Sequence, residues 1–248
     1  MPKLIADKGM EQLKIDGGGN FQFSATRLDD LGATEYTLVT IAVDKSGSVN
    51  SFVKELLKAI VMIIEACKKS PRAENLMIRL ITFNYELEEI HGFKLLSTID
   101  TKDYIEPNCS SQTALFDATY SSIGATLTYA KNLIDQDFNA NGICFIITDG
   151  CDNASKTTPS MIAEMTNDAF KNEEIESLIT VLVGIGAPDN AVKSELDKFF
   201  NVARLTQYVD IGDATPQKLA KLAAFVSKSI SSQSSALGSG AASQPLSF

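Results

Sequence analysis

Val43-Asp44-Lys45-Ser46-Gly47-Ser48 follows directly on the apolar run Leu38-Val39-Thr40-Ile41-Ala42-Val43. The run has little polar alternation and several β-branched residues, the pattern of a strand buried on both faces in a parallel sheet. Asp44, Ser46 and Ser48 then place a carboxylate and two hydroxyls at alternate positions beyond the strand's carboxyl end. Oxygen donors so spaced can converge on one point and suit a hard divalent cation, Mg²⁺ before Ca²⁺. The same residues also read as a strand closing in a Ser/Gly turn, with Ser48 or Asn50 capping the next helix.

Two distant segments bear on that choice. Ser110-Ser111-Gln112-Thr113-Ala114-Leu115-Phe116-Asp117-Ala118 is the first, and Ile143-Cys144-Phe145-Ile146-Ile147-Thr148-Asp149-Gly150 the second. The second repeats the logic of the opening stretch: an apolar strand, a carboxylate, a glycine. Together the three segments resemble the von Willebrand factor type A domain family and its metal-ion-dependent adhesion site. The Asp-x-Ser-x-Ser element matches at Asp44, Ser46 and Ser48, the family's threonine at Thr113, and its later aspartate at Asp149. The resemblance runs over roughly residues 36–230.

From Thr37 onward the residues themselves alternate between strand and helix patterns, as in a parallel sheet covered on both faces. Phe52, Leu56, Ile60 and Ile64 recur every four residues and predict a deeply buried helix. Strands are expected at Leu76–Phe83, 143–148, Leu178–Gly184 and 207–211, with a short strand or hairpin within 86–100. Helices are expected over 114–134, from Thr158-Pro159 to about Phe170, over 190–200, and from Thr215-Pro216 to about Ile230. The expected fold is α/β: a Rossmann-like, doubly wound, mostly parallel central sheet with helices on both faces. Around the domain at 36–230, residues 1–19 read as a flexible arm ending in Gly17-Gly18-Gly19. Residues 20–35 read as an edge strand or packing segment, and 231–248 as a disordered Ser/Gly/Ala-rich tail.

The net charge of −9 argues against nucleic acid or an anionic membrane as main partner, because phosphate contacts need clustered Lys and Arg. No apolar run approaches the length of a membrane span, and the start lacks a signal-peptide pattern. The four cysteines, Cys67, Cys109, Cys144 and Cys151, form no Cys-x-x-Cys pair. Free thiols without a signal peptide give a cytoplasmic expectation. Cys109 and Cys151 sit in loops that carry candidate ligands, which would put both near the metal.

The resemblance implies that the hydroxyls of Ser46 and Ser48 meet the metal directly. Asp44 and Asp149 would act through water, and Thr113 would move with the state of the site. The metal, Mg²⁺ or in its place Mn²⁺ or Ca²⁺, would keep an open position for an acidic side chain of a partner protein. Lys45 is expected in solvent, Asp117 as a structural acceptor and Asp152 as a solvated loop acid. Catalysis is not expected. His91, the only histidine, lies far from any Ser or Cys motif. A metal-dependent phosphohydrolase would want a second carboxylate where Ser46 stands. The competing reading is a structural component of a phage or other assembly, virion-associated, with contacts made through its arms.

Overall fold

The computed structural model describes residues 9–15, 21–186 and 190–248. Its strands are β1 (Met10–Lys14), β2 (Gln22–Thr26), β3 (Glu35–Asp44), β4 (Leu76–Phe83), β5 (Leu87–Leu95), β6 (Asn139–Thr148), β7 (Leu178–Gly184) and β8 (Gln207–Asp210). Its helices are α1 (Val53–Cys67), α2 (Leu115–Ile134), α3 (Pro159–Lys171), α4 (Asn190–Ala203) and α5 (Pro216–Ser239). Among the described residues the strands form one sheet in the order β1-β2-β5-β4-β3-β6-β7-β8. Strands β4, β3, β6, β7 and β8 run parallel, while β5 lies antiparallel to β4 and β1 antiparallel to β2. This is the Rossmann-like α/β architecture that the alternating pattern predicts.

Strand β3 is buried along its length from Tyr36. Side chains alternate between the sheet faces. Val39, Ile41 and Val43 pack with Leu56, Ile60 and Ile63 of α1 and Leu222 and Val226 of α5. Leu38 and Ala42 belong to the opposite core, with Ile123 and Leu127 of α2, Ile162 of α3 and Leu196 of α4. Helix α2 is buried on almost every side although it carries many hydroxyls. Thr119, Ser122 and Thr126 satisfy theirs by donating to carbonyls one turn back, at 2.7–2.9 Å.

The segments outside 36–230 depart from expectation. A strand, β1, stands inside the stretch read as an arm, and it takes the sheet edge that 20–35 was expected to fill. Strand β2 sits one place inward, between β1 and β5. Its approach to β5 needs Gly92, where a Cβ would lie 1.9 Å from the Ser24 carbonyl oxygen. The glycine run 17–19 lies outside the described residues. At the other end α5 continues past Ile230 to Ser239. Small serine and alanine side chains let it lie close to the sheet. Gln233 and Ser234 are buried there, and Arg72 donates to Ser234 at 3.0 Å. Beyond it Gln207 donates to the Leu246 carbonyl at 2.9 Å, and the Phe248 ring meets Phe225 edge-on at 5.4 Å. The tail is thus engaged with its own domain. No helix among the described residues is long and apolar enough to cross a membrane.

One buried ion pair ties the antiparallel edge to the rest. Arg79 of β4 and Glu89 of β5 are both fully buried, 2.9 Å apart. Ser24 of β2 donates to Glu89 from its backbone at 3.1 Å and from its hydroxyl, and Arg79 reaches the carbonyl and hydroxyl of Ser121 on α2. Glu89→Ala strands a buried guanidinium, so it is expected to lower the urea-unfolding free energy by about 3–5 kcal/mol. Glu88→Ala, whose side chain is 39% exposed, is expected to cost under about 1 kcal/mol in the same assay. Equal losses from the two would refute the assigned role of the buried pair.

Candidate metal centre

Strands β3 and β6 are neighbours in register, Val43 opposite Ile147, so both end at the same level. From there the chain departs to opposite faces, β3 toward α1 and β6 toward α3. Such a divergence opens a crevice at the carboxyl ends of the strands. Asp44 is the last residue of β3 and Asp149 follows the last residue of β6.

Asp44 is 1% exposed. One carboxylate oxygen accepts the Ser46 amide at 2.7 Å, and the other accepts the Thr148 hydroxyl at 2.6 Å. The Ser46 and Ser48 hydroxyls lie 3.2 Å apart, and Ser48 donates to Asp149 at 2.9 Å. Four of the five expected residues therefore form one hydrogen-bonded chain across the crevice. The capping alternative for Ser48 and Asn50 does not hold. Phe52 occupies the N-cap of α1, without a side-chain cap bond, and Ser48 turns to Ser46 and Asp149 instead.

Among the described residues Thr113 itself makes no hydrogen bond to that chain, but the segment just before it is bound to the same turn through its backbone. The Ser110 amide donates to the Lys45 carbonyl at 3.0 Å, and the Gly47 amide to the Ser111 carbonyl at 3.3 Å. Asn84 braces the segment from below, its side chain donating to the Ser110 carbonyl and its own carbonyl accepting the Ala114 amide. Asn153 accepts the Thr113 amide at 2.7 Å and donates its own amide to the Thr113 carbonyl at 2.9 Å.

Around this chain, Asp117 is a structural acceptor, as expected: it takes the Lys156 and Thr157 amides and the Thr157 hydroxyl at 2.7–3.0 Å. Asp152 is not a free loop acid. It accepts the Phe116 amide at 3.2 Å and so caps α2 from a loop 36 residues away, while Ser155 accepts the Asp117 amide at 3.0 Å. Lys45 is not in solvent either. The β4–β5 hairpin brings Glu88 beside it, and the two form an ion pair in which the lysine side chain is 12% exposed.

That pairing engages the ammonium next in sequence to Asp44. None of the ion pairs among the described residues uses Asp44 or Asp149. Burial, and to a smaller degree the charge of Asp149, push the Asp44 carboxyl up to about 6, although Thr148 and Ser46 stabilise its charged form. Burial also raises Asp149, against the opposing bond from Ser48. Two uncompensated carboxylates beside hydroxyls are a donor set of hard oxygens, short of positive charge, which fits a divalent cation. Among the described residues no group of three or more His, Cys, Asp or Glu side chains is placed to hold a metal ion, so any cation here would rest on two carboxylates and on hydroxyls. Ser48 and Asp149 also line an open crevice of about 880 Å³, with Phe52, Lys193 and Thr215 on its other walls.

The two loop thiols divide. Cys109 feels the charges of Asp44 and Asp149, and burial, more than those charges, raises its thiol. Cys151 instead points toward the Val192 carbonyl and lies within electrostatic reach of Tyr208, on the α4 side. All four cysteines are free thiols. Asn153, Asp152 and Ser155 are supports that no local pattern announces. They are ordinary capping residue types, but they cap a helix that precedes them in the chain.

No protein-family model matches the chain, and no curated protein matches it. Solved structures share its fold. The D319A mutant of the PilB minor pilin from Streptococcus sanguinis aligns with a TM-score of 0.59 at 13% identity, over 88% of this chain and 66% of the pilin. The pilus adhesin SpaC from Lactobacillus rhamnosus GG, in its open conformation, aligns at 0.57 and 10% identity over 90% of this chain and 32% of the adhesin. Proximal thread matrix protein 1 from the mussel byssus, in a structure with a zinc-occupied MIDAS motif, aligns at 0.51 and 18% identity over 79% of this chain and 46% of that protein. The fold is thus shared with these proteins, and this chain spans two thirds or less of each of them.

The raised carboxyl fixes a pH dependence. Asp44 titrates near 6 when folded and near 3.8 when unfolded. The folded chain therefore binds the extra proton between those values. Stability is favoured below the lower value and declines as pH rises through the upper one, a cost of order 3 kcal/mol at about pH 7. In chelator-treated protein, Asp44→Asn is expected to raise stability at about pH 7 by up to that amount and to flatten the profile between about pH 4 and 7. Urea unfolding across that range checks it; a variant no more stable than wild type at neutral pH would contradict the assigned cost.

Proposed function

We propose that this chain is a non-catalytic protein–protein interaction module of the von Willebrand A family. In this reading it holds a divalent cation, Mg²⁺ first, at Asp44, Ser46, Ser48, Thr113 and Asp149, and captures an acidic side chain of another protein there. The observation that carries the reading is the hydrogen-bonded chain Asp44–Ser46–Ser48–Asp149 across the β3–β6 crevice. Asp44 and Asp149 supply the charge that retains a cation, and the serine hydroxyls supply neutral oxygens between them. A bound cation would supply Lewis acidity left incompletely neutralised by this set, and so an affinity for one more carboxylate. The open crevice beside Ser48 and Asp149 gives a partner side chain access. The zinc-occupied motif of the byssus protein supports divalent binding on this fold, and the pilin and adhesin support a role in protein contacts.

The placement of His91 favours binding over catalysis. It is engaged on β5 between the Tyr104 hydroxyl, 2.8 Å from one ring nitrogen, and the Gly92 carbonyl, 3.0 Å from the other. Ser46 stands where a phosphohydrolase would want its general acid. Free thiols favour a reducing, cytoplasmic compartment.

Calorimetric titration of Mg²⁺ or Mn²⁺ is expected to give saturable heats with wild type and none with Asp44→Ala. Ser48→Ala is expected to weaken the cation while costing under about 1 kcal/mol in stability, because Ser48 is exposed and caps no helix. A partner captured in Mg²⁺ should elute with EDTA and be lost with Ser48→Ala. Equal heats from wild type and Asp44→Ala would end the proposal.

A further inference from the structure

A second concavity lies on the α1 side of the sheet, near the same strand ends. It is a cavity of about 50 Å³ walled by Val43, Val53, Leu56, Leu57, Ile60 and Ile90, among others. Thr82 also lines it, and its hydroxyl is buried without a hydrogen-bond partner among the described residues. Thr82 is 6% exposed. Tyr104 and Pro107 complete the wall, and Ile105, 79% exposed, stands at the mouth.

We propose that this cavity is a binding site for a small uncharged molecule with an aliphatic body and one hydrogen-bonding group. The proposal is independent of the cation reading. A buried hydroxyl without a partner is costly, and native structures rarely leave one so. Water is a poor answer here, since an ordered water wants two to four polar partners. The other hydroxyl in the wall, that of Tyr104, is already bound to His91 at 2.8 Å. Thr82 alone would have to hold the water in an otherwise apolar hollow. A ligand that fills the hollow with carbon and offers one donor or acceptor to Thr82 matches both features. The volume limits it to a few non-hydrogen atoms beyond the mouth. A charged ligand is disfavoured, because no ionisable side chain other than Tyr104 lines the cavity and burial holds that phenol neutral.

The test uses 1-propanol as the alcohol probe and xenon as an apolar probe that cannot hydrogen-bond, followed by ¹³C-methyl NMR of the full chain. Propanol is expected to give saturable shifts confined to methyls of Val43, Val53, Leu56, Leu57, Ile60 and Ile90. Thr82→Val keeps the shape and removes the hydroxyl. It should weaken propanol about five-fold and leave xenon unchanged. Leu57→Phe, at a half-buried wall position, should exclude both probes. If that variant does not fold, Thr82→Val alone decides. Unsaturable propanol shifts, or equal propanol affinity in wild type and Thr82→Val, would overturn the proposal.

Discussion

Two carboxylates held together without a lysine or arginine partner among the described residues are the constraint around which this domain is arranged. Asp44 cannot withdraw, because it ends a strand hydrogen-bonded on both sides by β4 and β6. Asp149 cannot retreat far, because Thr148, one residue before it, is bound both to Asp44 and to Gly150. The local hydroxyls and amides lessen the cost of the buried charge and do not remove it, since Asp44 still titrates near 6. Charge compensation from within is diverted: Lys45, next in sequence, is taken by Glu88. The domain thus gives up stability to hold a pair of charges, an arrangement common at functional sites and uncommon elsewhere.

The support around this pair is layered. Strand register sets the height of Asp44 and Asp149. The turn Gly47–Ser51 then brings Ser46 and Ser48 over them before α1 begins. The segment 110–114 is pinned to that turn by Lys45 and Gly47 and from below by Asn84. Much of the pinning uses backbone groups, so it survives wide variation in side chains. This is consistent with a fold shared at 10–18% identity with the pilin, adhesin and byssus structures.

The parts of this arrangement legible in sequence are those with a local signature. Near-continuous apolar runs mark β3, β4, β6 and β7, and a four-residue repeat marks α1. Asp44, Ser46 and Ser48 are legible because a strand's end and its turn are contiguous. Illegible parts depend on partners far along the chain. Glu89 stands beside Glu88 in a short strand with nothing local to tell the two acids apart, and only the arrival of Arg79 and Ser24 makes it a buried ion-pair member. Asp152 reads as a solvated acid because the helix it caps lies 36 residues earlier. Residues 231–239 read as disordered because serine and alanine carry no hydrophobic period; small side chains against a sheet leave little trace in composition.

The Asp152–Thr157 loop also bears on how Thr113 could move. Thr113 is held at both backbone groups by Asn153, Phe116 by Asp152, and Asp117 both accepts from Lys156 and Thr157 and donates to Ser155. These bonds join the first turn of α2 to the loop that precedes α3. A displacement of Thr113 toward or away from the serines must break several of them at once or carry the loop along. The second course costs less, because it keeps these bonds, two of which, the Thr157 amide and hydroxyl to Asp117, are buried. Asp149 lies three residues before Asp152, so a moving loop would pull on the other carboxylate of the site. Thr113 and the loop that follows Asp149, distant in sequence, therefore belong to one hydrogen-bonded body, while Asp44 is fixed inside the sheet.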